Sequence, residues 1–144
     1  MPHSVLIVDD HPLYRCGLES LISQEADLQV CGQAGSLATA MKLFQELNPD
    51  IVVTDLTLSS GDGLRLIKQI RVYSRSTRIL VCSMHDERLF AERCLRAGAN
   101  GYVNKEEAAA TIIKAIRSVL KGSLHLSQDM AICLAERQVQ GHVG

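Results

Sequence analysis

The sequence lacks the features that mark membrane, secreted and nucleic-acid-binding chains. It has no run of about 18 apolar residues, so no segment is predicted to cross a membrane. Its first residues carry no basic stretch before a short apolar run that ends in two acids, which is not the pattern of a secretory signal peptide. The formal net charge is −1 at pH 7, which argues against nucleic acid as the main ligand of this chain.

The five cysteines contain no C-x-x-C pair. Their odd number and wide spacing argue against a disulfide framework and against a cysteine metal site. Reduced thiols in a cytoplasmic protein are therefore the expectation. Cys82 lies within an apolar run and is predicted to belong to the core.

Short apolar segments alternate with helical patterns along most of the 144 residues. Five strands are predicted, at Ser4–Val8, Leu28–Ala34, Ile51–Thr54, Arg78–Ser83 and Gly101–Asn104. Five helices are predicted, at about Pro12–Gln24, Ser36–Leu47, Asp62–Val72, Glu87–Ala97 and Glu106–Lys121. This alternation predicts one α/β domain whose parallel sheet is covered by helices on both faces. Right-handed crossovers between five strands favour the doubly wound, flavodoxin-like order 2-1-3-4-5.

The pattern changes after residue 122, so the domain is placed at residues 1–122. Residues 123–144 are predicted to hold one short helix that begins near Ser127. A glycine-containing end that is partly disordered should follow this helix.

Polar residues follow four of the predicted strands at the point where each strand ends. The first strand ends in Asp9 and Asp10, the third in Asp55 and the fourth in Ser83, and Lys105 follows the fifth. The carboxyl ends of parallel strands share one sheet edge, and ligands bind there beside the reversal of strand order. That reversal lies between the first and third strands, so these residues are predicted to form one site.

Three close carboxylates repel one another unless a cation joins them, which predicts a hard divalent ion such as Mg²⁺ held by Asp9, Asp10 and Asp55. An aspartate can also act as the nucleophile that accepts a phosphoryl group. Lys105 and the Ser83 hydroxyl would then neutralise or hydrogen-bond the phosphoryl oxygens. Asp55 is thus predicted to be a phosphate acceptor.

Each residue also has an ordinary structural interpretation. The acid pair could cap a helix or lie in a solvated turn, Ser83 could be a helix cap, and Lys105 could be a surface lysine. These interpretations do not explain why all of the residues stand at the same end of successive strands. The combined functional interpretation is therefore preferred.

At these residues the chain resembles the receiver domains of two-component response regulators, over roughly Ser4–Lys121. Three motifs resemble the LuxR/NarL (FixJ) subfamily, whose output is a helix-turn-helix domain: DDHPLYRCGL, SMHDE and AGANGYVNK. The resemblance implies that a sensor histidine kinase donates the phosphoryl group to Asp55 with Mg²⁺. It also implies that Ser83 moves toward the phosphate, that Tyr102 turns inward, and that dimerisation or output follows.

Some neighbouring residues carry weaker expectations. Thr57 and His85 could tune hydrolysis of the acyl phosphate, or they could be loop residues without chemistry. Tyr102 could instead be a half-buried packing residue, and His11 is interpreted as structural. The segment after Asp55 lacks the proline that many such domains carry there, so this loop is expected to be less restricted and more mobile.

The subfamily's DNA-binding half would need roughly 60 residues beyond residue 122. The chain is therefore interpreted as a fragment that includes the start of a linker, with a stand-alone receiver as the alternative. DNA binding is expected only through the missing domain.

The domain at residues 1–122 is predicted to signal rather than to act as an enzyme. A Mg²⁺-dependent aspartyl phosphatase is disfavoured because Thr57 stands where such enzymes need a second acid, and an interaction module without phosphorylation lacks support.

Overall fold

A computed structural model describes residues 2–58, 63–127 and 130–136 of the chain. The strands are β1 His3–Val8, β2 Leu28–Ala34, β3 Ile51–Thr54, β4 Arg78–Ser83 and β5 Gly101–Asn104. The helices are α1 Pro12–Ser23, α2 Leu37–Leu47, α3 Gly63–Tyr73, α4 Glu87–Ala97 and α5 Ala109–Leu120. Residues 130–136 are also helical.

The five strands form one parallel sheet in the order β2-β1-β3-β4-β5, which confirms the predicted topology. Alternate side chains of each strand point to opposite faces, so the sheet carries two separate cores. Leu6, Val52 and Ile79 pack with α2, α3 and α4 on one face. Val5 and Val53 pack with α1 and α5 on the other. Each fully buried side chain of this kind contributes roughly 1.5–3 kcal/mol relative to exposure, so both faces of the central strands must be apolar.

Local sequence explains where the helices begin and end. The Ser36 hydroxyl accepts a hydrogen bond from the Thr39 amide at 3.3 Å and caps α2, as its position before the apolar periodicity predicts. Asp86 caps α4 in the same way, through the Arg88 amide at 2.9 Å. Gly98 follows α4 with a φ of 120°, a conformation that favours glycine. Both helices therefore begin at a capping residue, and α4 also ends at a defined one.

Helix α5 begins at Ala109, three residues later than the predicted start at Glu106. The Asn104 side chain accepts a hydrogen bond from the Glu106 amide at 2.8 Å, and the Asn104 carbonyl accepts one from the Glu107 amide at 3.0 Å. These bonds fold residues 104–107 into a turn that competes with helix. The turn sets the position of Lys105 at the end of β5.

Glycine is required at the start of α3. The Gly63 amide donates to the Leu56 carbonyl at 3.1 Å, and a Cβ at position 63 would lie 2.1 Å from that oxygen. Helix α3 therefore begins in close contact with the backbone that follows β3. The expected mobility of the loop after Asp55 concerns residues 59–62, which lie outside the described residues.

The segment after α5 lies along β5. His125 accepts a hydrogen bond from the Tyr102 amide at 2.9 Å, and its own amide donates to the Asn100 carbonyl at 3.0 Å. Ser127 contacts the first residue of α4, with its amide 2.9 Å from a carboxylate oxygen of Glu87. Met130 is buried in the core on the α4 side of the sheet. The predicted disordered end concerns residues 137–144, which lie outside the described residues.

All five cysteines are free thiols in the structure. Cys82 is buried on β4, which confirms its place in the core. No helix in the described parts of the chain combines the length and the apolar character that crossing a membrane requires.

Candidate functional site

The carboxyl ends of β1 and β3 bring the acidic residues together. Val8 pairs with Thr54 across these two strands, so Asp9 and Asp55 leave the sheet side by side. The backbone continues this pairing, since the Asp55 amide donates to the Val8 carbonyl at 2.9 Å. Both aspartates are buried, with exposures of 2% and 3%. Two buried carboxylates on adjacent strand ends repel each other, so they need positive charge close by.

Lys105 supplies part of that charge. Its Nζ atom lies 2.7 Å from Oδ2 of Asp9 and 2.9 Å from Oδ2 of Asp55, and its side chain is only 6% exposed. Burial lowers the pKa of Lys105, but the hydrogen bonds and charges of Asp9 and Asp55 outweigh this, so its pKa is raised. The interpretation of Lys105 as a surface lysine is therefore wrong, and the ammonium is an internal counter-ion.

Asp10 has an oxygen that suits a cation. Its Oδ1 atom is buried and makes no hydrogen bond within the described residues. Nδ1 of His11 lies 3.0 Å from this oxygen, but the ring nitrogen is hydrogen-bonded to Oδ1 of Asp9 at 2.9 Å instead. A buried acceptor without a donor costs about 1–3 kcal/mol, and a bound cation would remove this cost.

The acidic cluster has the donor set of a hard metal ion. Asp9, Asp10, His11 and Asp55 offer ligand atoms that all lie within 4.8 Å of one another. Three of the four are carboxylates, which are the ligands that Mg²⁺ prefers. The unpaired oxygen of Asp10 and this donor set fit a divalent cation at the sheet edge.

Ser83 and Tyr102 occupy the neighbouring strand ends. Ser83 is fully buried at the end of β4, and its hydroxyl accepts a hydrogen bond from the His85 amide at 3.1 Å. Tyr102 is 1% exposed, and its hydroxyl donates to the His85 carbonyl at 2.9 Å. Burial raises the pKa of Tyr102 to about 12, so its phenol stays neutral. The interpretation of Tyr102 as half-buried is wrong, because the ring already lies inside the domain. The expected inward turn of Tyr102 is therefore not needed to bury the ring.

Thr57 and His85, the two residues that could tune hydrolysis of the acyl phosphate, differ in their contacts. The Thr57 amide donates to Oδ1 of Asp55 at 3.3 Å while the Thr57 side chain is exposed. The His85 ring packs edge-on against Phe90, with 5.0 Å between ring centroids. Thr57 thus touches the acceptor through its backbone, whereas His85 contacts Ser83 and Tyr102 through its backbone.

Two residues near the site were given no part in its chemistry by sequence reasoning. His11 contacts Asp9, and its adjacency to the acid pair was the available signal. Tyr14 lies in the first turn of α1, with its ring centroid 4.5 Å from Nζ of Lys105. No spacing rule relates Tyr14 to a lysine 91 positions away, so only the folded structure reveals this contact.

Comparisons with known proteins identify the family of the chain. The family described as response regulator receiver domain matches residues 5–117. The fimbriae Z protein of Salmonella typhimurium is 36% identical over 84% of this chain and 58% of its own length. The nitrate/nitrite response regulator protein NarL of Escherichia coli is 32% identical over 93% of this chain and 62% of its own length. The chain therefore spans about three fifths of these curated relatives.

Solved structures give the same result. A two-component response regulator of the LuxR family from Aurantimonas sp. is 37% identical with a TM-score of 0.88, over 96% of this chain and 99% of that chain. The signal receiver domain of a response regulator NarL from Mycobacterium tuberculosis is 32% identical with a TM-score of 0.79, over 84% and 98%. The fold, the matched family and these relatives together show that the chain belongs to the response regulator receiver domains of the LuxR/NarL type.

Proposed function

We propose that Asp55 accepts a phosphoryl group from a phosphohistidine of a sensor histidine kinase. The observation that carries the proposal is the buried Asp55 carboxylate, held by the Lys105 ammonium beside an acid pair. A carboxylate oxygen of Asp55 would attack the phosphorus, and the P–N bond would break with its electron pair returning to the imidazole nitrogen. The product is an acyl phosphate on Asp55.

Residues around Asp55 would balance the charge of the transferred group. Phosphoryl transfer depends mainly on positioning and on neutralising the equatorial oxygens. Lys105 is already within 2.9 Å of Asp55, and the Thr57 amide points to the same carboxylate. Ser83 is at the end of the next strand, and its hydroxyl could turn from the His85 amide toward a phosphoryl oxygen.

Asp9, Asp10 and Asp55 would hold Mg²⁺, which supplies further positive charge to the phosphoryl oxygens when bound. Mg²⁺ is therefore expected to stabilise the wild-type fold by about 2.7 kcal/mol at a concentration of 100 times its dissociation constant. Asp10→Asn should lose most of this gain, because the unpaired Oδ1 of Asp10 is the oxygen best placed to gain a partner. Urea unfolding with and without Mg²⁺ measures both effects. An equal gain in the variant would contradict the assignment of Asp10.

The route from the site to the output would pass through β5. Tyr102 bonds the β4–α4 loop through its hydroxyl and the segment after α5 through its amide. Movement of Ser83 would shift His85, and with it both Tyr102 and the Glu87 contact to Ser127.

In this proposal residues 1–122 are the receiver and residues 123–144 begin a linker. A helix-turn-helix domain outside this chain would then bind DNA in a dimer formed on phosphorylation.

The phosphate mimic beryllofluoride is expected to loosen the segment after α5. Amide hydrogen exchange over residues 123–127 should accelerate roughly 5-fold or more, which corresponds to the lower end of typical coupling between sites. Asp55→Asn serves as the control, since the mimic needs the acceptor carboxylate. Unchanged exchange in the wild type, with beryllofluoride bound, would contradict this route.

Phosphoryl transfer is tested directly by mass spectrometry after incubation with Mg²⁺ and phosphoramidate. The proposal expects the gain of one phosphoryl group, and light scattering on the same samples reports dimerisation. Failure to gain phosphate would overturn it. Steady turnover of a phosphomonoester would instead support an aspartyl phosphatase, although Thr57 occupies the position at which such an enzyme needs a second acid.

The proposed place of action is the cytoplasm, where sensor kinases present their phosphohistidine.

A further inference from the structure

Tyr14 lies between the acidic site and the core on the α1 side of the sheet. Its hydroxyl is hydrogen-bonded to Sγ of Cys82 at 2.7 Å, and its ring faces Nζ of Lys105 at 4.5 Å from the centroid. The ring also packs against the cluster formed by β1, β3 and α5. Tyr14 therefore contacts β4 with its hydroxyl and the counter-ion of the site with its ring.

The surroundings of Lys105 give the ring contact a consequence. An ammonium has three N–H donors, and Asp9 and Asp55 accept two of them. Within the described part of the chain, one donor remains for an incoming phosphoryl oxygen. An aromatic face within about 6 Å attracts a cation and limits where the ammonium can go. The four-carbon stem is flexible, so when Asp55 turns its contact over to an incoming phosphoryl group, only Asp9 and the ring face remain to hold the ammonium.

We propose that Tyr14 is a positioning residue for phosphoryl transfer, whose ring face fixes the Lys105 ammonium so that its free donor is directed to the phosphate. This inference rests on the proposed function, because it assigns a role within the same site. Tyr14 would touch neither phosphate nor metal ion. It would act only through Lys105.

The hydroxyl of Tyr14 would have a lesser role, which is to hold the ring in place. Burial raises the pKa of Tyr14 and raises the pKa of Cys82 to about 11, so the bond joins two neutral groups. A neutral hydrogen bond of this kind adds little to the field at Lys105. The effect of the ring should therefore be separable from the effect of the hydroxyl.

The rate of phosphorylation by phosphoramidate at saturating Mg²⁺ tests the proposal. Tyr14→Leu is expected to slow the reaction about 2- to 30-fold, which is the range that a cation–π contact spans. Tyr14→Phe keeps the ring and should stay within about twofold of the wild type. Tyr73→Leu makes the same change at a tyrosine that is 65% exposed on α3, and should leave the rate unchanged. If Tyr14→Leu fails to fold, Tyr14→Met fills more of the ring's volume without an aromatic face and takes its place.

A spectroscopic measurement separates positioning from packing. The Hε protons of Lys105 should show an upfield ring-current shift in the wild type and in Tyr14→Phe, and should lose it in Tyr14→Leu. A wild-type rate in Tyr14→Leu, or a loss in Tyr14→Phe as large as in Tyr14→Leu, would overturn the proposal. If the wild type gained no phosphate, the proposed function would fail, while an absent ring-current shift would refute the ring contact independently.

Discussion

Asp55→Asn is expected to gain no phosphoryl group from phosphoramidate under conditions that fully modify the wild type. The amide of asparagine is a far weaker nucleophile than a carboxylate, and it cannot form the acyl phosphate. The fold should survive, because Lys105 keeps its 2.7 Å contact with Asp9 and one of two buried repelling charges disappears. Mass spectrometry measures the phosphate, and circular dichroism measures the fold.

A matched control removes the same charge elsewhere. Asp86 caps α4 on the surface, and Asn is as good a cap as Asp, so Asp86→Asn should stay folded and take up phosphate normally. A full phosphate gain in Asp55→Asn would show that another residue is the acceptor. Loss of phosphate in both variants would point to a general defect rather than to the acceptor.

Lys105→Met is expected to slow phosphoryl transfer by about 10²–10³-fold, the usual effect of removing one preorganised donor from a developing charge. Methionine keeps the unbranched stem but leaves Asp9 and Asp55 without their shared counter-ion. Breaking a buried ion pair in this way costs about 3–5 kcal/mol of folding free energy in the absence of a metal ion. Urea unfolding and the phosphoramidate rate measure the two effects.

Lys114→Met is the control for this change, since Lys114 is exposed on α5. It should alter neither rate nor stability by an appreciable amount. If Lys105→Met kept a rate within about threefold of the wild type, the ammonium would have no part in charge neutralisation. The two predictions are independent, because Asp55→Asn removes the acceptor and Lys105→Met removes the charge beside it.

The sheet order and most of the element bounds could be predicted because strand and helix periodicities are local. Four of the five strands match their predicted bounds, and β1 begins one residue earlier, at His3. Helix α5 was the exception, because the Asn104 side chain forms a competing turn that apolar periodicity does not report. The convergence of Asp9, Asp55 and Lys105 could also be predicted, since parallel strands end at one edge.

The sequence alone determined which residue types stand at the ends of the strands. Those positions follow from the order of strands along the chain, and the order follows from hydrophobic patterning. The sequence did not reveal how deeply each side chain is buried. Lys105 and Tyr102 could lie on the surface or in the interior without any change in their positions along the sequence, because burial depends on what packs over them.

Only the tertiary structure decided the contacts between residues distant in sequence. The Tyr14 ring beside Lys105, the orphaned oxygen of Asp10 and the Ser127 contact to Glu87 depend on side-chain directions set by packing. No local pattern encodes these directions, because each depends on elements that the chain brings together only when it folds. The acceptor can therefore be predicted from sequence, whereas the groups that position its counter-ion require the folded molecule.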